Sequence, residues 1–175
     1  KIFEQDGITI AIADVTPAYT NSASGKGTFS HRTRRVEKFW RIFAYDRIDD
    51  VVIVFDQVRA TQASFRKRWL LHTIEQPRIT EHGFVTTVAP KNSPAQGGGQ
   101  LTAHVLLPKD PIIQIIGGKD FEFFVDGKNY DEKGPVAEMV RTAKKNAEPG
   151  AWRVEVMPSA EAKEDLFLNV LLPSS

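Results

Sequence analysis

Residues 50–60 read Asp50-Val51-Val52-Ile53-Val54-Phe55-Asp56-Gln57-Val58-Arg59-Ala60. Branching at Cβ restricts the rotamers a helix requires and suits a pleated surface, so this density of Val, Ile and Phe favours extended backbone. With turn-formers on either side, the run predicts a central strand. Asp56 lies inside it, and a carboxylate in such a place is expected to be a hydrogen-bonded structural acid.

Working outward, residues 65–74 alternate in their first half. Phe65, Lys67, Trp69 and Leu71 fall on one face; Arg66, Arg68, Leu70 and His72 fall on the other. One face is apolar and the other basic. Further strands are expected at residues 7–13, 34–45, 84–89, 100–107, 112–116, 121–125, 152–157 and 166–172. Asp126-Gly127 tolerates positive φ and marks a tight turn, while Gly117-Gly118 is a similar break. Loops are expected at 20–28 and 92–99. Only residues 135–145 carry helical spacing, with Val136, Met139, Val140 and Ala143 on one stripe, Pro135 in the first turn and lysines at the end. The fold expected is therefore all-β, an antiparallel β-sandwich of supersandwich-like form with at most one short helix, as a single domain over residues 1–175.

The chain has 175 residues and no cysteine, with 23 Lys+Arg against 22 Asp+Glu. A chain of this length buries roughly 70% of its unfolded surface, so its core needs neither disulfides nor metal. Thiol nucleophiles and thiolate zinc sites are excluded. A net charge of +1 gives no whole-surface field for nucleic acid, and a nucleic-acid partner is not expected. No apolar run reaches the ~20 residues a bilayer crossing needs, and no signal peptide is read, so a soluble chain without a membrane partner is expected. The start at Lys1, without Met, is expected of a processed or trimmed end.

The four histidines, His31, His72, His82 and His104, have no tight ligand spacing, and no metal or cofactor is expected. There is no G-x-S-x-G elbow, P-loop or dinucleotide fingerprint. Basic residues gather at 31–35 with Lys38 and Arg41, and again at 66–68, interleaved with Phe39, Trp40 and Trp69. Guanidinium groups pair bidentately with carboxylate or sulfate and rings stack on sugar faces, so these residues are candidates to line a groove for an anionic polymer. The alternative is a solvated basic face over a core of aromatics.

Residues 41–79, and within them Val54-Phe55-Asp56-Gln57-Val58 and Lys67-Arg68-Trp69-Leu70-Leu71-His72, resemble the C-terminal β-sandwich of heparinase II/III-like polysaccharide lyases. Residues 13–19, 99–101 with 106–108, and 150–156 with 164–168 agree in the same order. The resemblance implies β-elimination on a uronate-containing polysaccharide. A base takes the proton beside the sugar carboxylate, that carboxylate is neutralised, and an acid assists the leaving oxygen. In the family these groups come largely from a preceding helical toroid and a His-x-His-x-Asp stretch. Neither is present here, so no catalytic residue carries over. The resemblance implies the C-terminal part of a larger lyase, inactive alone, periplasmic or secreted, with an acidic polysaccharide and an upstream helical catalytic domain as partners. Its expected substrate-binding residues are Arg66, Arg68, His72 and Arg41. Two other readings are a free-standing carbohydrate-binding or structural interaction module using Trp40, Trp69 or Trp152, and a small lyase using Tyr19, Tyr45 or Tyr130 with a histidine.

Overall fold

Alternation along the strands sorts the side chains into two sheets. The computed structural model describes residues 1–20, 35–89, 98–118, 121, 123–130 and 150–174. Eight antiparallel strands form the large sheet. In spatial order they are β1 (Ile2–Gln5), β2 (Ile8–Asp14), β3 (Val36–Asp46), β4 (Val51–Ala60), β13 (Glu164–Ser174), β8 (Gly99–Leu107), β7 (Gly83–Val88) and β6 (Arg78–Thr80). The small sheet is β5 (Trp69–Thr73), β12 (Trp152–Met157) and β9 (Ile112–Gly117), with β12 in the middle. A separate hairpin joins β10 (Phe124–Val125) to β11 (Lys128–Asn129). Asp126 and Gly127 turn it with φ of 46° and 83°, as the Asp-Gly signal predicts.

The strand expected at 50–60 is β4, and it is central, held between β3 and β13. Its inward Val54, Asp56 and Ala60 are buried. The core is Trp69, Phe84, Ala103, Val154, Val156 and Phe167, with Val58, Leu71, Val105, Ile113, Ile115 and Leu171 packed against it. Phe84 and Phe167 come from the large sheet, Trp69 and the two valines from the small one, so the cluster is the seam of a two-layer sandwich. Each fully buried Phe or Val contributes roughly 1.5–3 kcal/mol through area removed from water.

The core does not extend under the whole large sheet. No residue of β1, β2 or β3 belongs to it. The outward side of the large sheet carries exposed apolar residues, Phe3, Ile8, Trp40, Ile53, Leu106 and Leu166, among polar ones such as Lys38, Gln57 and Arg59.

Several elements differ from the sequence reading: the strand expected at 121–125 is confined to Phe124–Val125, and the one expected at 65–74 begins only at Trp69. β1 and β6 were not expected, because each is three or four residues long with mixed polarity and gains its conformation from pairing with β2 and β7. A four-residue helix, α1 (Thr16–Tyr19), follows β2. It starts with Pro17 in its first turn, and Thr16 Oγ1 accepts from the Phe39 amide at 2.8 Å. The helix expected at 135–145 and the loop at 20–28, apart from Thr20, lie outside the described residues. So does the loop at 92–99 up to its last two residues.

Candidate functional site

The inward positions of β5 and β12 fill the core, so alternation sends Leu70 and His72 of β5, and Arg153 and Glu155 of β12, to the far side of the small sheet, with Arg68, just ahead of β5, beside Glu155 there. Charged residues on an outward face normally meet water. Here Arg153 and Glu155 are 9% and 3% exposed. The β10–β11 hairpin accounts for part of the cover, since Arg153 Nη2 donates to the Phe124 carbonyl at 2.8 Å.

Glu155 is the centre of a buried ion cluster. Arg153 Nε donates to its Oε1 at 2.8 Å, and Arg68 Nε lies 3.2 Å from its Oε2. Arg68 Nη2 reaches on to Asp126 at 2.5 Å, tying the hairpin turn to the sheet. Beside it Lys67, turned to the other face, is nearly buried between Asp165 at 2.9 Å and the Ala162 carbonyl at 2.5 Å. The hydrogen bond to Asp126 and the nearby Glu155 raise the pKa of the Arg68 guanidinium.

Of these residues, Lys67, Arg68, Asp126, Glu155 and Asp165 line a cleft of about 430 Å³ between residues 63–68, the outer side of β9 and β12, the hairpin turn and residues 157–162. Its charges are mixed. Arg66, Lys67 and Arg68 face Asp126, Glu155, Glu161 and Asp165, and most of them are already paired. Arg66 is exposed and makes no ion pair among the described residues. No described histidine or tyrosine lines the cleft. The arrangement is chemically suited to hold a polar or anionic group at its rim through Arg66 and the outer edge of Arg68.

The four expected binding residues do not form one site. Arg66 and Arg68 share the cleft. His72 is exposed on the same face of β5, opposite Arg153 in register. Arg41 is on the other sheet, where Nε and Nη2 grip both oxygens of Asp56 at 2.7 and 2.6 Å. Asp56 is thus the hydrogen-bonded acid expected of it, and the pair raises the pKa of Arg41. The aromatics are likewise dispersed: Trp69 is core, Trp40 lies on the outward face, and Phe39 points inward. His31 lies outside the described residues. Sequence reading missed Glu155, Arg153, Lys67 and Asp126 as a cluster; the only local signal was Arg-x-Glu on one face of residues 152–157.

One prediction arises from the latch. The hydrogen bond and charge of Arg68 hold Asp126 below the ordinary carboxylate range. A depressed carboxylate favours the folded hairpin above its ordinary pKa, and that contribution disappears as pH falls through the lowered value. A carboxyl-carbon NMR titration of Asp126 is expected to show a midpoint below that of a free aspartate. A midpoint at or above it would mean the latch is not formed in solution.

No protein-family model and no curated protein sequence matches this chain. Among solved structures, it is similar to a mutant of heparan sulfate lyase HepC from Pedobacter heparinus, at 11% identity and a TM-score of 0.54. The likeness covers 100% of this chain and 21% of that one, so the chain spans about a fifth of the lyase's length. At this identity the likeness shows a shared fold, a β-sandwich of the kind that forms one part of that lyase.

Proposed function

We propose that this chain is the C-terminal β-sandwich module of a heparinase II/III-like polysaccharide lyase that acts by β-elimination on uronate-containing polysaccharide. In this reading it is a periplasmic or secreted module that touches the acidic polymer and leaves elimination to groups of an upstream helical domain. The observation that carries it is the likeness of the entire chain to one fifth of a heparan sulfate lyase. Two features of the fold support it. The exposed apolar residues on the outward face of the large sheet, Phe3, Ile53 and Leu106 among them, suit burial against another domain. The cleft offers Arg66 and Arg68 at its rim, with His72 on the same sheet face, as contacts for carboxylate or sulfate groups.

A second reading, a free-standing carbohydrate-binding module, is favoured by Trp40, which is 46% exposed on the outward face of the large sheet. Lys38 Nζ lies 4.4 Å from its ring centroid, so a stacking sugar would compete with the ammonium for that surface.

Incubated alone with heparan sulfate, chondroitin sulfate or alginate, the protein is expected to give no ultraviolet-absorbing unsaturated product. It is expected to be retarded in gels containing the same polymers, and less so after Arg66→Ala. Turnover by the chain alone would overturn the accessory role. Retardation lost with Trp40→Ala but kept with Arg66→Ala would favour the second reading, and no retardation at all would remove polymer contact from the proposal.

A further inference from the structure

The inward face of the β1–β3 wing lies beyond the core, and Arg41 stands on it. Asp56, opposite in register and 2% exposed, fixes the guanidinium by two short hydrogen bonds. That consumes Nε and one Nη2 hydrogen. Nη1 and the other Nη2 hydrogen form no hydrogen bond among the described residues, and the side chain is 43% exposed. A guanidinium has five donors in a rigid plane, so pinning one edge aims the other.

The surroundings of that edge are aromatic. Arg41 Cζ lies 5.5 Å from the Phe39 ring centroid, and the Phe39 ring is 5.4 Å from that of Tyr19. Phe43, two residues on along the same face, is 41% exposed, and Tyr19 is 47% exposed. The platform therefore combines a directed planar cation and open ring surface. A two-oxygen anion matches the free guanidinium edge, and the C–H face of a pyranose matches the rings.

The geometry points to a second saccharide site here, one that takes the carboxylate of a uronic acid residue on Arg41 with the sugar ring against Phe43 and Tyr19. The inference deepens the acidic-polysaccharide reading and rests on it, but it uses the opposite sheet from the cleft. Since Asp56 already balances the Arg41 charge, long-range attraction is weak and selectivity comes from hydrogen-bond geometry. Binding should therefore depend on the carboxylate itself and persist at moderate salt better than a contact through unpaired lysines.

The test is amide NMR mapping of the full chain with an unsulfated uronate-containing hexasaccharide and with its carboxyl-reduced counterpart. Shifts are expected at residues 39–43 and at Tyr19 with the acidic sugar, and far weaker ones with the reduced sugar. Phe43→Ala, at an exposed position, and Arg41→Lys, which keeps a cation against Asp56 but loses the fork, are each expected to weaken binding about tenfold or more. Equal binding of the reduced sugar overturns the inference. So do shifts confined to residues 66–68 and 126, an outcome that leaves the cleft reading standing. No shift anywhere overturns it as well, while retention on the polymer gels judges the cleft reading separately.

Discussion

Replacing Glu155 by glutamine is expected to lower the unfolding free energy by roughly 3–5 kcal/mol, the range for removing one member of a buried ion cluster. The substitution keeps the shape, so no cavity contributes. What changes is the charge between Arg153 and Arg68, whose side chains are 11% and 20% exposed. Without the carboxylate, two guanidiniums face each other with little water to screen them, and Arg153 loses a charge-assisted acceptor. Urea unfolding of both proteins checks this through the midpoint at unchanged slope. A loss below about 1 kcal/mol would show that the cations reach water on that face of the small sheet.

Trp69→Ala has a comparable expected cost of about 3–5 kcal/mol, from lost transfer energy plus the cavity left behind. Trp69 is 4% exposed and is one of the six residues of the core cluster. It begins β5, an edge strand of the small sheet joined to β12 alone, so the hole would open where that sheet has least support. The same denaturation measurement applies. A change under about 1 kcal/mol would place the ring at the surface and reopen a stacking role for it.

The strands were legible where local chemistry decides them. β4 and β12 were read almost to the residue, because β-branched runs bounded by turns leave few alternatives. The two faces of β5 were also readable from alternation, and Trp69 and Leu71 do point to the core. Partnership between sheets was not readable. Arg41 and Arg68 are near in sequence and similar in chemistry, yet β3 and β5 belong to different sheets. A register signal for the Arg41–Asp56 pair was available: once the turn at 47–50 is recognised, counting back along both strands places the two opposite each other. The burial of Glu155 had no such signal, since its cover comes from a hairpin about 30 residues earlier that only the tertiary fold brings into place.

Among the described residues the large sheet ends at β1 on one side, and that strand carries Ile2 at 73% and Phe3 at 53% exposure beside a row of backbone groups facing outward. Such a border is a template for adding one more strand, whether from a neighbouring segment or from another copy of the molecule. At high concentration, then, molecules would adhere edge to edge along β1. A lysine at position 3 would discourage this self-association without disturbing the pairing with β2.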